Sequence, residues 1–187
     1  MGFWADKTIE PKRQHNWIMT ITGEGQQGQT NQGTIESWVV KSVEKPKIEI
    51  SEAEHRFINH TFYYPGRLTY GEITLTLVDP VDPDTSSLLM EKIVGSGYKF
   101  PDTAQEAQSS ITKSLATSQL GDVKIEQLRT ASVDDPQGPE VIERWLLFNA
   151  WIKSVEFGSL SYDEDGLVEI TVTMRYDYAK INPPELG

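Results

Sequence analysis

The alternation of residue types near the C-terminus constrains the fold more than any other feature. Across residues 167–178, Val168, Ile170, Val172, Met174 and Tyr176 occupy one parity, and Glu169, Thr171, Thr173 and Arg175 the other. A period of two places these sets on opposite faces of a β-strand. A strand that is apolar on one face must lie on a core, so the chain builds a sheet with one buried side. Two further segments repeat the pattern. In residues 71–79, Ile73, Leu75 and Leu77 oppose Glu72, Thr74 and Thr76; in residues 15–22, Trp17, Met19 and Ile21 alternate with Asn16, Thr20 and Thr22.

The remaining chain fits around these strands. Residues 1–14 form a polar arm carrying Phe3 and Trp4, rings that dock on the chain's own core or on a neighbouring copy. After the Gly/Gln-rich stretch GEGQQGQTNQG, residues 35–43 resume the strand pattern and close a long-tipped hairpin with the first strand. Residues 47–64 combine β-formers with charges and histidine, as extended strands, a long hairpin or an arm pairing with another subunit would. Residues 80–97 carry a helix signal, with Asp84 or Thr85 as cap, Leu88, Leu89 and Ile93 as its apolar side and Gly95 as its stop. Residues 101–120 read as a thin surface helix, or a loop ordered only on assembly. There Thr103 and Glu106 fit a capping box, and Ala107, Ile111 and Leu115 recur at helical spacing. A strand is expected over 121–130 and a loop over 132–140. Residues 141–157 read as one long strand covered on both faces around Trp145 and Trp151. Residues 161–166 (SYDEDG) turn it into the closing strand of a hairpin, and Pro183 and Pro184 end the fold. The expected architecture is mainly β: one domain over residues 1–187, an antiparallel barrel or sandwich with one packed helix.

Composition excludes several functions. The formal net charge is −11, with Lys and Arg scattered rather than clustered, which disfavours tight nucleic-acid binding. Cysteine is absent, so there are no disulfides and no thiolate metal sites. No signal-peptide core and no run of roughly 20 apolar residues is present, so no membrane anchor is expected.

The catalytic inventory is short. GEGQQG at 23–28 matches dinucleotide-binding spacing, but the helix that such a motif must open is missing, and a hairpin loop explains it. His15, His55 and His60 are the only histidines. Odd spacing along one strand places His55 and His60 on opposite faces, unable to share a metal without a bend. Asp79, Asp82 and Asp84 could hold calcium, but no glutamate closes an EF-type loop, and prolines with helix capping account for them. Asp163, Glu164 and Asp165 with Gly166 read as a turn. Asn59-His60-Thr61 is a glycosylation sequon without a secretion signal. No nucleophile elbow, zinc-protease motif or phosphate loop occurs. The expectation is a non-enzymatic protein without cofactors.

Two blocks go beyond pattern. Residues 150–178, AWIKSVEFGSLSYDEDGLVEITVTMRYDY, resemble the closing hairpin of tail tube proteins from contractile-tailed phages. In that family an apolar strand leads through a short Gly, Leu, Tyr-Asp turn to a strand ending in an acidic-aromatic tail. Residues 63–93, YYPGRLTYGEITLTLVDPVDPDTSSLLMEKI, resemble the family's middle: a turn with Gly and Arg, an alternating strand, then a helix. Together the blocks cover about half the chain. Residues 101–120 and 131–140 exceed the family minimum, as surface insertions or as the mark of a relative such as a baseplate tube protein.

The resemblance implies a subunit whose sheets join those of its neighbours in hexameric rings, stacked into a tube. Its partners would be copies of itself, sheath and baseplate proteins, and DNA passing through the lumen unbound. Its place would be the virion, after assembly in the host cytoplasm. Within the arm, Ile48, Ile50, Phe57, Ile58, Phe62, Tyr63 and Tyr64 are the candidate inter-subunit contacts. Thr74, Thr76, Thr171 and Thr173 are candidates for the lumen or the outer wall. Type VI secretion tubes and bacteriocin tails are the alternatives within this class. A small-molecule-binding or enzymatic β-barrel is the alternative outside it.

Overall fold

The computed structural model describes residues 12–23, 34–129, 140–163 and 165–182. Most of the N-terminal arm, the GEGQQG loop beyond Gly23, the loop over 131–139, Glu164 and the terminal prolines lie outside these residues.

Nine of the strands form two antiparallel sheets around one core. The first sheet contains β1 (Trp17–Thr22), β2 (Thr34–Ile35), β7 (Asp122–Leu128), β8 (Val141–Phe148) and β11 (Tyr178–Asn182), in the order β11-β8-β7-β1-β2. The second contains β3 (Val40–Val43), β6 (Ile73–Val78), β9 (Trp151–Glu156) and β10 (Glu169–Arg175), in the order β3-β6-β10-β9. The alternating apolar residues of both sheets meet. Met19, Ile21, Val123 and Ile125 of the first share one buried cluster with Ile73, Leu75, Leu77, Ile170, Val172 and Met174 of the second. The arrangement is the sandwich form of the expected architecture; among the described residues neither sheet closes into a barrel.

Three strand segments cross from one sheet to the other, each at a local break. A 3-10 turn over Ser37–Val39 separates β2 from β3. Asn149, at φ 54°, separates β8 from β9. Tyr176 and Asp177 separate β10 from β11. The last two breaks lie together: the Asp177 amide donates to the Phe148 carbonyl at 3.0 Å, and Asn149 Nδ2 donates to Asp177 Oδ2 at 2.8 Å. These corners correct two expectations. Residues 35–43 and 141–157 are not continuous strands; each bends between sheets, so no single strand needs both faces covered.

Helix α1 (Thr85–Gly95) is capped by Asp84, whose carboxylate accepts from the Ser87 amide at 3.1 Å. Gly95 belongs to the helix rather than stopping it, and the C-cap is Ser96. A second helix, α2 (Lys113–Leu120), packs on α1 and β9. Its buried face is Ala116 and Leu120, not the expected Ala107, Ile111 and Leu115, which are exposed. Residues 113–120 are thus part of the body. Lys92 of α1 is buried and donates to the Gln119 carbonyl at 2.9 Å; loss of water holds its ammonium down at about 8.

Candidate interaction surface

The remaining two strands, β4 (Ile48–Phe57) and β5 (His60–Tyr70), pair only with each other. Every residue of β4 is exposed, and β5 is exposed except at Thr61 and Tyr70. A two-stranded ribbon is marginal in water on its own. This one is instead fastened at its root. The Gly71 amide donates to the Lys47 carbonyl at 2.8 Å, the Tyr70 ring packs edge-on against Tyr176 with centroids 5.8 Å apart, and Tyr70 Oη donates to the Ala179 carbonyl at 3.4 Å.

A second fastening lies just before β4. Glu143, buried in the first sheet, accepts from Lys45 Nζ at 2.7 Å, from Trp145 Nε1 at 2.7 Å and from Lys12 Nζ. Burial alone would push its carboxyl up, but these donors outweigh it and hold the group at about 2. Lys45 also donates to Gln127 Oε1 at 2.7 Å, so the segment leading into the hairpin is fixed to the body.

The hairpin changes its apolar face partway along. At the root Ile48 pairs with Tyr70, and Ile50 with Leu68. Register then shifts opposite Ser51, where β5 contributes both Gly66 and Arg67, and the Arg67 amide donates to Ser51 Oγ at 2.9 Å. A bulge of this kind re-aims the side chains beyond it. Past it, Glu52 pairs with Pro65, Glu54 with Tyr63, and Arg56 with Thr61, on the face that carried Ile48 and Ile50. The opposite face carries Ala53, His55 and Phe57 against Tyr64, Phe62 and His60. Gly66 permits the close approach, since a Cβ there would sit 2.9 Å from the Ser51 carbonyl oxygen.

This geometry sorts the candidate contacts. Ile48 and Ile50 lie on the root face; Phe57, Phe62 and Tyr64 lie on the tip face; Tyr63 stands on the other side of the tip among charges, where Arg56 bonds Glu54 at 3.1 Å. Ile58 occupies the turn and is 85% exposed. Leu68, also exposed, was not singled out from the sequence, although its alternation with Tyr70 carries the signal. The histidines meet the bend that their expectation excepted. The reversal at residues 58–59 puts His55 and His60 on one face, diagonal to each other, with His60 edge-on to Phe62 at 4.7 Å. No group of three metal-ligating side chains exists among the described residues.

The acidic clusters have structural partners. Asp79 accepts from the Thr85 and Ser86 amides at 3.1 and 3.3 Å and from Ser86 Oγ at 2.6 Å, so it braces the start of α1 alongside Asp84. The four threonines share the outer face of the second sheet. Thr76 pairs with Thr171 and Thr74 with Thr173, flanked by Ser42 and Ser154. Ion pairs frame this hydroxyl-rich surface: Lys41 with Glu169, and Glu72 with Lys153 at 2.5 Å and Arg175 at 3.5 Å.

No family model and no curated protein matches the sequence. Solved structures match over nearly the whole chain. A chain from the sheath-tube complex of PVC, an extracellular contractile injection system in its extended state, aligns with a TM-score of 0.64 at 16% identity, covering 98% of this chain and 99% of that one. A chain from the tube-terminating cap of the anti-feeding prophage gives 0.63 at 17%, with coverage of 98% and 99%. One from the 6-fold symmetrised baseplate of the same particle gives 0.63 at 12%, with coverage of 95% and 99%. The chain therefore shares the fold of components of contractile injection systems.

Proposed function

We propose that this chain is a structural, non-enzymatic subunit of the inner tube of a contractile phage tail, forming hexameric rings that stack into a conduit for DNA. The observation that carries this reading is the β4–β5 hairpin, which leaves the sandwich and exposes aromatic and aliphatic side chains that none of the described residues covers. Ring formation gives the open sheet edges partners, and a second copy gives the hairpin one. The fold shared with chains of tube, cap and baseplate assemblies supports sheath and baseplate proteins as further partners.

The chain's charge of −11 and the threonine face of the second sheet support a lumen wall over which phosphate slides without being trapped. A tube reconstruction with a bore lined mainly by Lys and Arg would contradict that part. The second reading is a tube or tube-initiating protein of an extracellular injection machine, favoured by the matched particles, PVC and the anti-feeding prophage. Negative-stain microscopy of the purified chain tests both: rings or filaments support a tube subunit, and a monomer at every concentration supports a small-molecule-binding or enzymatic role instead. Genome context then separates phage from injection machine.

A further inference from the structure

We propose that His55 and His60 form a two-histidine site for a borderline divalent ion, such as Zn²⁺, Ni²⁺ or Cu²⁺, that clips β4 to β5 beyond the bulge. The site belongs to a single chain and does not rest on the tube reading. The pairing register places it. His55 faces Phe62 across the ladder and Phe57 faces His60, so the two imidazoles occupy diagonal positions on one face. Diagonal neighbours in an antiparallel pair lie about 7–8 Å apart, within reach of long side chains. Metal–nitrogen bonds add about 2.0 Å on each side, so one ion can span the gap. His60 packs edge-on against Phe62 with centroids 4.7 Å apart, which brings these rings together along β5 beside the row that holds His55.

The chemistry of the face selects the ion. Beyond the bulge it carries Ala53, His55 and Phe57 against Tyr64, Phe62 and His60, with no carboxylate. Calcium and magnesium favour carboxylate and carbonyl oxygens, whereas imidazole suits zinc, nickel and copper. The charges of the tip lie on the opposite face, where Arg56 bonds Glu54 at 3.1 Å, so no fixed cation stands between the imidazoles. Both histidines are exposed, and neither makes a hydrogen bond or ion pair among the described residues, so their ring nitrogens are open to an ion. No third ligating side chain joins them there, which leaves the remaining coordination positions to water. The ion supplies what the fold does not. A two-stranded ribbon is marginal in water, and β4 and β5 pair only with each other. Coordination across the strands closes the ribbon near its turn.

The test uses the full chain without a histidine tag and Ni²⁺ as the probe. Isothermal titration is expected to show saturable one-to-one binding, lost in His55→Gln and in His60→Gln and kept in His15→Gln, whose histidine lies in the turn before β1. Amide hydrogen exchange over residues 53–63 should slow when Ni²⁺ is added and return to its starting rate with EDTA, and neither hairpin variant should respond. Both substitutions fall at exposed positions, so the variants should keep the parent's unfolding midpoint and remain comparable with it. Ni²⁺ binding that survives both substitutions, equal binding of Mg²⁺, or no saturable binding to the parent overturns the site. Each of these results leaves the tube reading, which makes no use of the ion, as it stands.

Discussion

The sandwich and the hairpin are built from the same kinds of residue, and they differ in what covers those residues. In β10, Ile170, Val172 and Met174 are buried against β6 and the facing sheet. In β4 and β5, Ile50, Phe57, Phe62 and Tyr64 are equally apolar and lie open. Burying a large apolar side chain contributes about 1.5–3 kcal/mol. The body has gained this from its own fold, whereas on the proposed reading the hairpin gains it from a second copy. That reading places stability in one region and association in the other.

That division is open to attack by mutation. The largest expected effect is in the body. Leu77→Ala empties a fully buried site and should cost about 2–5 kcal/mol in denaturant unfolding. Phe57→Ser with Phe62→Ser, equivalent in chemistry but on the hairpin, should stay within about 0.5 kcal/mol of the parent. An equal loss at both places would break the comparison.

Glu143→Gln comes next, because it acts where the regions join. The folded carboxyl lies at about 2, below its ordinary 4.5, so its stabilisation is complete above about pH 4.5 and is lost as pH falls towards 2. The variant should unfold about 1–3 kcal/mol more easily near neutral pH and lose that acid-side slope, read by urea titrations at several pH values.

Ile58→Gly sharpens the contrast from the hairpin side. It relieves a left-handed isoleucine but loosens the unfolded chain, so stability should change by no more than about 1 kcal/mol, in the stabilising direction. Assembly should nevertheless weaken. A variant that unfolds more easily and assembles as well as the parent would show that Ile58 serves the hairpin itself. The smallest effect belongs to the exposed Lys153 and Glu72 pair, where Lys153→Ala should leave the unfolding midpoint unchanged within error.

The body was legible where a period of two meets a buried face: β6 and β10 follow from alternation alone. The corners were not, because a bend between sheets leaves the hydrophobic run unbroken. In 141–157 the only mark is Asn149, a residue that tolerates the left-handed region, amid a continuous apolar stretch. Helix α2 was half legible. Thr112 caps it, but Ala116 and Leu120 are buried through contacts with α1 and β9 that no local pattern encodes. The candidate contacts were legible as apolar residues in a charged segment. Their division between two faces was not, since it depends on the bulge opposite Ser51 and on the reversal that brings His55 and His60 together.

The central claim, that the hairpin assembles what the sandwich stabilises, is tested most directly by removing the tip. A chain with residues 52–65 replaced by a short turn should retain the parent's unfolding midpoint while sedimenting without the stacked species expected of the parent. Loss of the folded body, or stacking as extensive as the parent's, would contradict it.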